Sequence, residues 1–98
     1  FTSGQIPLTK SGELIKDDFK SESIQIIKNM ESILISGGSS LSDIVKITVY
    51  LTDLSLFSQL NEVFEQFFID EPPARSAVEV KGLPMGSRIE MEAIALKR

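Results

Sequence analysis

The chain has 98 residues, 42% of them apolar and 24% charged, with ten Lys and Arg against fourteen Asp and Glu and a net charge of −4. This is the length of one domain, and the apolar content excludes a disordered tail, a collagen-like repeat and a low-complexity linker. No apolar run approaches the ~20 residues of a membrane-spanning helix, and the bases form no block that would leave an electrostatic footprint for nucleic acid.

Phe1 to Leu8 reads as a short strand ending near Pro7, followed by the polar turn Thr9-Lys10-Ser11-Gly12. Phe19, Ile26, Ile27, Met30, Ile33 and Leu34 then recur at three- and four-residue spacing, which is one face of a helix. Asp17 and Asp18 stand where carboxylates cap the first amides, and Gly37-Gly38 supplies the left-handed stop. Ile44 to Thr52 is the clearest strand, with Val45, Ile47, Val49 and Leu51 on one face. Its other face, Ile44, Lys46, Thr48, Tyr50 and Thr52, is mixed, as expected of a central strand or one that meets another subunit. Asp53 to Ser55 offers a second helix start. Phe57, Leu60, Val63, Phe64, Phe67 and Phe68 follow at helical spacing, which is the pattern of a buried face rather than of a platform for bases. Pro72-Pro73 closes that helix. Arg75–Lys81 and Arg88–Leu96 both alternate and are joined by Gly82 to Ser87, which reads as a hairpin. The order is β-α-β-α-β-β, an α+β fold with a mixed sheet and two helices on one face.

The chain contains no Cys and no His. A thiol nucleophile, a thiolate metal site and the usual neutral-pH base are therefore excluded, and no metal or cofactor is expected. Chemistry falls to carboxylates, Arg, Lys, Tyr50, hydroxyls and bound water. Alternation groups Arg75, Ala77 and Glu79 on one face of their strand and Glu90 and Glu92 on one face of the next. This hairpin thus concentrates three carboxylates and a guanidinium. Two readings stand side by side: a solvated face with cross-strand ion pairs, or an anion clamp with Arg75 as the fork and a Glu as acid, base or water-holder. Spacing does not say which Glu meets Arg75. Ser3-Gly4-Gln5 is either a bulge or a point of close backbone approach. Gly37-Gly38-Ser39-Ser40 lacks the Lys and the preceding strand of a phosphate loop.

Ser3-Gly4-Gln5-Ile6-Pro7, the run from Leu41 to Asp53, Pro73-Ala74-Arg75-Ser76-Ala77-Val78-Glu79-Val80 and Ile89-Glu90-Met91-Glu92-Ala93-Ile94-Ala95 occur in that order. Together they resemble the RidA (YjgF) family of enamine/imine deaminases, also called L-PSP endoribonucleases or translation inhibitors. The resemblance runs along essentially the whole chain, as one RidA-like domain over residues 1–98. It implies a chorismate-mutase-like homotrimer with sheets turned inward and active sites between neighbouring subunits. It also implies hydrolysis of small imino or enamine carboxylic acids released by pyridoxal-phosphate enzymes, 2-iminopropanoate and 2-iminobutanoate among them, to 2-oxo acid and ammonia. By the same resemblance Arg75 holds the substrate carboxylate and Glu90 holds the water. Ser3, Gly4, Ser76 and Ala77 line the substrate, and no cofactor is needed. Ala77 stands where relatives often carry Cys, and Phe64 where Tyr is common. Relatives begin earlier, with a Gly-Pro-Tyr segment that supplies a further strand and a pocket tyrosine, so the first strand segment is expected to lie before Phe1. A cytoplasmic location is expected, or a mitochondrial one if a presequence precedes Phe1.

Two other classes fit parts of the pattern. A non-enzymatic trimer that binds small molecules would keep Arg75 but has no need of Glu90. An endoribonuclease would want His or another proton-transfer pair and basic residues for phosphates, which this acidic, His-free chain does not advertise.

Overall fold

The computed structural model describes residues 1–98. Helix α1 spans Phe19–Ser36. The Asp18 carboxylate accepts the Ser21 amide at 2.8 Å and the Ser21 hydroxyl at 2.9 Å, satisfying a donor that the first helical turn leaves free. At the other end Gly38 takes φ +82°, the left-handed stop for which glycine is suited. Strand β1 spans Ile44–Leu51, helix α2 Phe57–Phe67, strand β2 Ala74–Glu79 and strand β3 Ile89–Ala95. A short 3-10 turn, Leu54–Leu56, leads into α2 and is capped by Asp53, whose carboxylate accepts the Ser55 amide. No helix is long and apolar enough to cross a membrane.

The sheet order is β2-β1-β3. β1 pairs parallel to β2, the two joined through α2, and antiparallel to β3. Both helices cover one face. Ile26, Ile27 and Met30 of α1 and Leu60 and Val63 of α2 are fully buried against Ile47, Val49, Leu51, Ile89 and Met91. Removing this much apolar surface from water is the main stabilising term for a chain of this size. The opposite face, built from Lys46, Thr48 and Tyr50 of β1 and Glu90, Glu92 and Ile94 of β3, has no layer over it.

The mixed sheet and its two helices follow the expected order, with three local differences. First, Arg75–Lys81 and Arg88–Leu96 do not form a hairpin, because β1 lies between them. The chain from Val80 to Arg88 carries a 3-10 turn at Pro84–Gly86, not a two-residue reversal. The β-branched strand occupies the centre, where both its edges are paired. Second, Val45 is exposed and Ile44 is buried. A bulge between Ile44 and Lys46, opposite Ala95 and Ile94, inserts one residue and flips the side chains before it. Third, Phe1 to Leu8 joins the sheet beyond β3 as an extended segment held at points rather than by a continuous ladder. The Thr2 amide donates to the Ala93 carbonyl, and Gln5 and Met91 exchange two backbone bonds. Pro7 brings no N–H to continue the ladder. Among the helical expectations, Ile33 and Phe57 emerge at the rims of their stripes, 41% and 38% exposed.

Candidate functional site

Register decides where the expected residues go. Arg75 stands opposite Ile47, and Glu90 opposite Tyr50. Ile47 and Tyr50 are three positions apart on one strand, so their side chains leave opposite faces. Arg75 therefore lies on the helix side at the β2 edge, and Glu90 on the open side along β3. Two strand spacings and three residues of rise put them about 10 Å apart across the sheet and about 10 Å along it. No carboxylate of this chain reaches Arg75 within an ion-pair distance. The expected concentration of Arg75 and the carboxylates in one hairpin is thereby corrected: a single copy of the chain does not bring them together.

Arg75 is nonetheless held. Its Nη2 donates to Asn61 Oδ1 at 2.7 Å, and its guanidinium carbon lies 5.0 Å from the Phe57 ring centroid and 4.7 Å from that of Phe64. Phe57, Asn61 and Phe64 fall at i, i+4 and i+7 of α2, one stripe of the helix. The stripe was visible in the sequence as apolar periodicity, but a polar residue within it carries no signal that it faces an arginine. Half-burial draws the Arg75 pKa down from its ordinary value, and guanidinium stays charged at any physiological pH. Of its five N–H donors, the chain uses only the one on Asn61. Beside it opens a cleft between the end of α2 and Pro72-Pro73, lined by Phe64, Phe68 and Ile69.

On the open side, Glu90 is half-buried and accepts no hydrogen bond from the chain, whereas Tyr50 Oη donates to Glu92 Oε1 at 2.6 Å. That bond, burial and the charges of Glu92 and Glu90 push the Tyr50 pKa up. Gly4 lies directly on Glu90: a Cβ at position 4 would stand 1.9 Å from Glu90 Oε2, inside any allowed contact. The close-approach reading of Ser3-Gly4-Gln5 therefore holds, and what approaches is the carboxylate. The Ser3 carbonyl accepts from Gln5 Nε2 at 3.2 Å, and the residue is otherwise exposed. Ser76 and Ala77 separate by alternation. Ala77 packs against the core, while the Ser76 hydroxyl is on the open side and accepts from Lys46 Nζ at 2.9 Å. β2 is an edge strand, so its outer backbone groups are free to bind a ligand.

The arrangement is thus a held cation at one sheet edge and a carboxylate packed against Gly4 at the other end of the opposite face, each without a charged partner. A cation that presents free N–H donors binds a carboxylate, and a carboxylate without a partner can hold or deprotonate water.

Comparison with known proteins places this geometry among relatives. The family model described as Endoribonuclease L-PSP matches residues 1–97. A RutC family protein of Pyrococcus abyssi is 49% identical over 98 residues, covering 99% of this chain and 77% of that protein. The human 2-iminobutanoate/2-iminopropanoate deaminase is 42% identical over 98 residues, covering 99% of this chain and 72% of the human protein. The crystal structure of the YjgF gene product from E. coli superposes with a TM-score of 0.90 at 42% identity, covering 99% of this chain and 79% of that one.

Proposed function

We propose, from the premise that this chain belongs to the Endoribonuclease L-PSP family, which includes the RidA and YjgF proteins, that it hydrolyses 2-iminopropanoate and 2-iminobutanoate to the 2-oxo acid and ammonia. The observation that carries this reading is the pair of unpartnered charges, Arg75 fixed by Asn61 and Glu90 packed against Gly4. The reaction asks for these two groups. Arg75 takes the substrate carboxylate in a bidentate, charge-assisted pair. Glu90 holds a water against the imine carbon. As the water oxygen bonds to carbon, the C=N π pair moves to nitrogen, and Glu90 takes the water proton and returns it to the nitrogen. Glu90 then passes the hydroxyl proton of the tetrahedral adduct to the nitrogen as well, and collapse to the ketone breaks the C–N bond and releases ammonia. The imine carbon is already electrophilic, so positioning and proton transfer supply the acceleration.

Arg75 and Glu90 meet, in this reading, across the interface of a homotrimer, Arg75 from one copy and Glu90 from its neighbour. The open face supports this. Val78 and Ile94 project from it and Leu96 follows β3, 44%, 36% and 50% exposed, an uncovered apolar surface of the kind that marks an association site. The Ser3 hydroxyl, Gly4 and the backbone at Ser76 and Ala77 line the substrate between copies.

The test uses imine made in situ by an amino-acid oxidase and trapped by semicarbazide. The protein is expected to lower the semicarbazone yield, and Arg75→Ala to cut kcat/KM by about 100-fold or more, the equivalent of two hydrogen bonds to a charged group. An unaltered semicarbazone yield with the wild-type protein would overturn the reading in favour of a trimer that binds carboxylates without turnover.

A further inference from the structure

We infer that Asn61 is the positioning residue of the site: it fixes the direction of the Arg75 guanidinium while leaving its charge unspent for a carboxylate ligand. The inference rests on the carboxylate-clamp reading of Arg75 and adds the residue that makes the clamp selective for an incoming anion. Guanidinium has donors and no acceptor, so the amide group of Asn61 must turn its oxygen to Nη2, as it does at 2.7 Å. The rings of Phe57 and Phe64 fix the guanidinium from the same helix. Together they confine a side chain that would otherwise lose its rotamer freedom on binding. Part of that loss is met on folding, before ligand arrives.

The choice of a neutral amide is the informative part. Aspartate has the same shape and would hold Nη2 at least as well, but its charge would neutralise the guanidinium and its second oxygen would compete for the fork. A residue kept only to stabilise the fold gains from that exchange, whereas one kept to present a free cation loses by it. No carboxylate elsewhere in the chain pairs with Arg75. Glu65, four residues beyond Asn61, lies on the wall of the adjoining cleft without an ion pair to it.

The experiment compares Asn61→Asp and Asn61→Ala in the full chain. Three readouts are used: imine turnover, pyruvate binding by calorimetry, and the side-chain NMR signals of Arg75. Asn61→Asp is expected to fold as well as wild type by thermal unfolding. Its KM for imine and its Kd for pyruvate should rise about tenfold or more while kcat stays within about twofold, the signature of lost binding rather than lost chemistry. Asn61→Ala should raise KM by about threefold, because the guanidinium keeps its charge and loses only its fixed direction, and should release the Arg75 Nη signals from hindered to fast-averaged rotation. Unchanged KM and Kd in Asn61→Asp would overturn the inference, as would Arg75 signals already averaged in wild type. If wild type neither hydrolyses imine nor binds pyruvate, yet Arg75 is hindered and is released only in Asn61→Ala, the deaminase reading falls and Asn61 keeps its positioning role.

Discussion

The two faces of the sheet are finished to different degrees. Under the helices every buried polar side-chain atom has a partner. Even the carboxylate of Glu22, 3% exposed within α1, is matched by Arg88 at the start of β3, whose Nε and Nη2 both donate to it. On the open face Glu90 is left without a bond and apolar side chains stand in solvent. The covered face is closed within one chain and serves stability. The open face and the β2 edge are left incomplete within one copy, as the proposed assembly of a second copy and a ligand over them requires. The charges differ accordingly: the Glu22–Arg88 pair is satisfied within one chain, whereas Arg75 and Glu90, on opposite sides of the sheet, have no charged partner in it.

The largest expected effect breaks this comparison directly. Arg75→Ala and Glu90→Gln are each expected to lose about 100-fold or more in turnover, Arg75→Ala through KM and Glu90→Gln through kcat. If each site takes Arg75 from one copy and Glu90 from the next, co-refolding the two inactive variants at equal amounts should restore activity. An interface is intact when the copy lending arginine carries Glu90→Gln and the copy lending glutamate carries Arg75→Ala. For random assembly that holds for about a quarter of interfaces in a cyclic oligomer, so about a quarter of wild-type activity should return. Restoration of none, with mixed oligomers verified by mass spectrometry, would place the two residues in separate functions.

A smaller effect sharpens the other side of the contrast. Arg88→Met removes the partner of a carboxylate that stays buried, and leaving such a charge uncompensated costs about 3 kcal/mol. Urea unfolding should record that loss, while the kcat of the folded fraction remains close to wild type. A large drop in kcat with unaltered stability would mean that the Glu22–Arg88 pair takes part in the chemistry after all.

Much of this division was legible in the sequence. The periods of the two helices, the Asp18 cap, the Gly37-Gly38 stop and the β-branched run of β1 are local signals, and the structure follows them. The mixed second face of that run already suggested a central or interface-facing strand. Pairing was not legible in the same way. Two alternating segments separated by a short glycine-containing loop look like neighbours. Whether a third strand slips between them depends on the crossover through α2, a long-range choice with no local mark. Site geometry depended on that choice: with β1 in the middle, Arg75 and the carboxylates of β3 lie two strands apart rather than in one hairpin, and the register puts Arg75 and Glu90 on opposite faces. The bulge at Val45 was hidden for a related reason, since an extra residue shows only against a partner strand. Arg75 and Gly4 stood out from alternation and composition, and the resemblance chose Glu90 among the carboxylates. The Asn61 amide, a polar residue in an apolar stripe, became informative only once the stripe had an arginine against it.

The smallest expected effect is spectroscopic and reads the open face alone. Tyr50 is the only tyrosine, and the chain has no tryptophan, so tyrosinate absorbance reports one site. Glu92 accepts the phenol proton at 2.6 Å and, with burial and the charge of Glu90, raises the Tyr50 pKa in the folded chain. The midpoint should therefore lie above the ordinary value of about 10 and move back toward it in Glu92→Gln. A pKa raised on folding means that the bond's contribution to stability is complete below pH 10 and is lost as pH climbs through the folded value. Wild type should consequently lose stability on the alkaline side more steeply than Tyr50→Phe, whose phenyl ring has no proton to release. A midpoint at the ordinary value in wild type would mean that the Tyr50–Glu92 bond does not persist in solution.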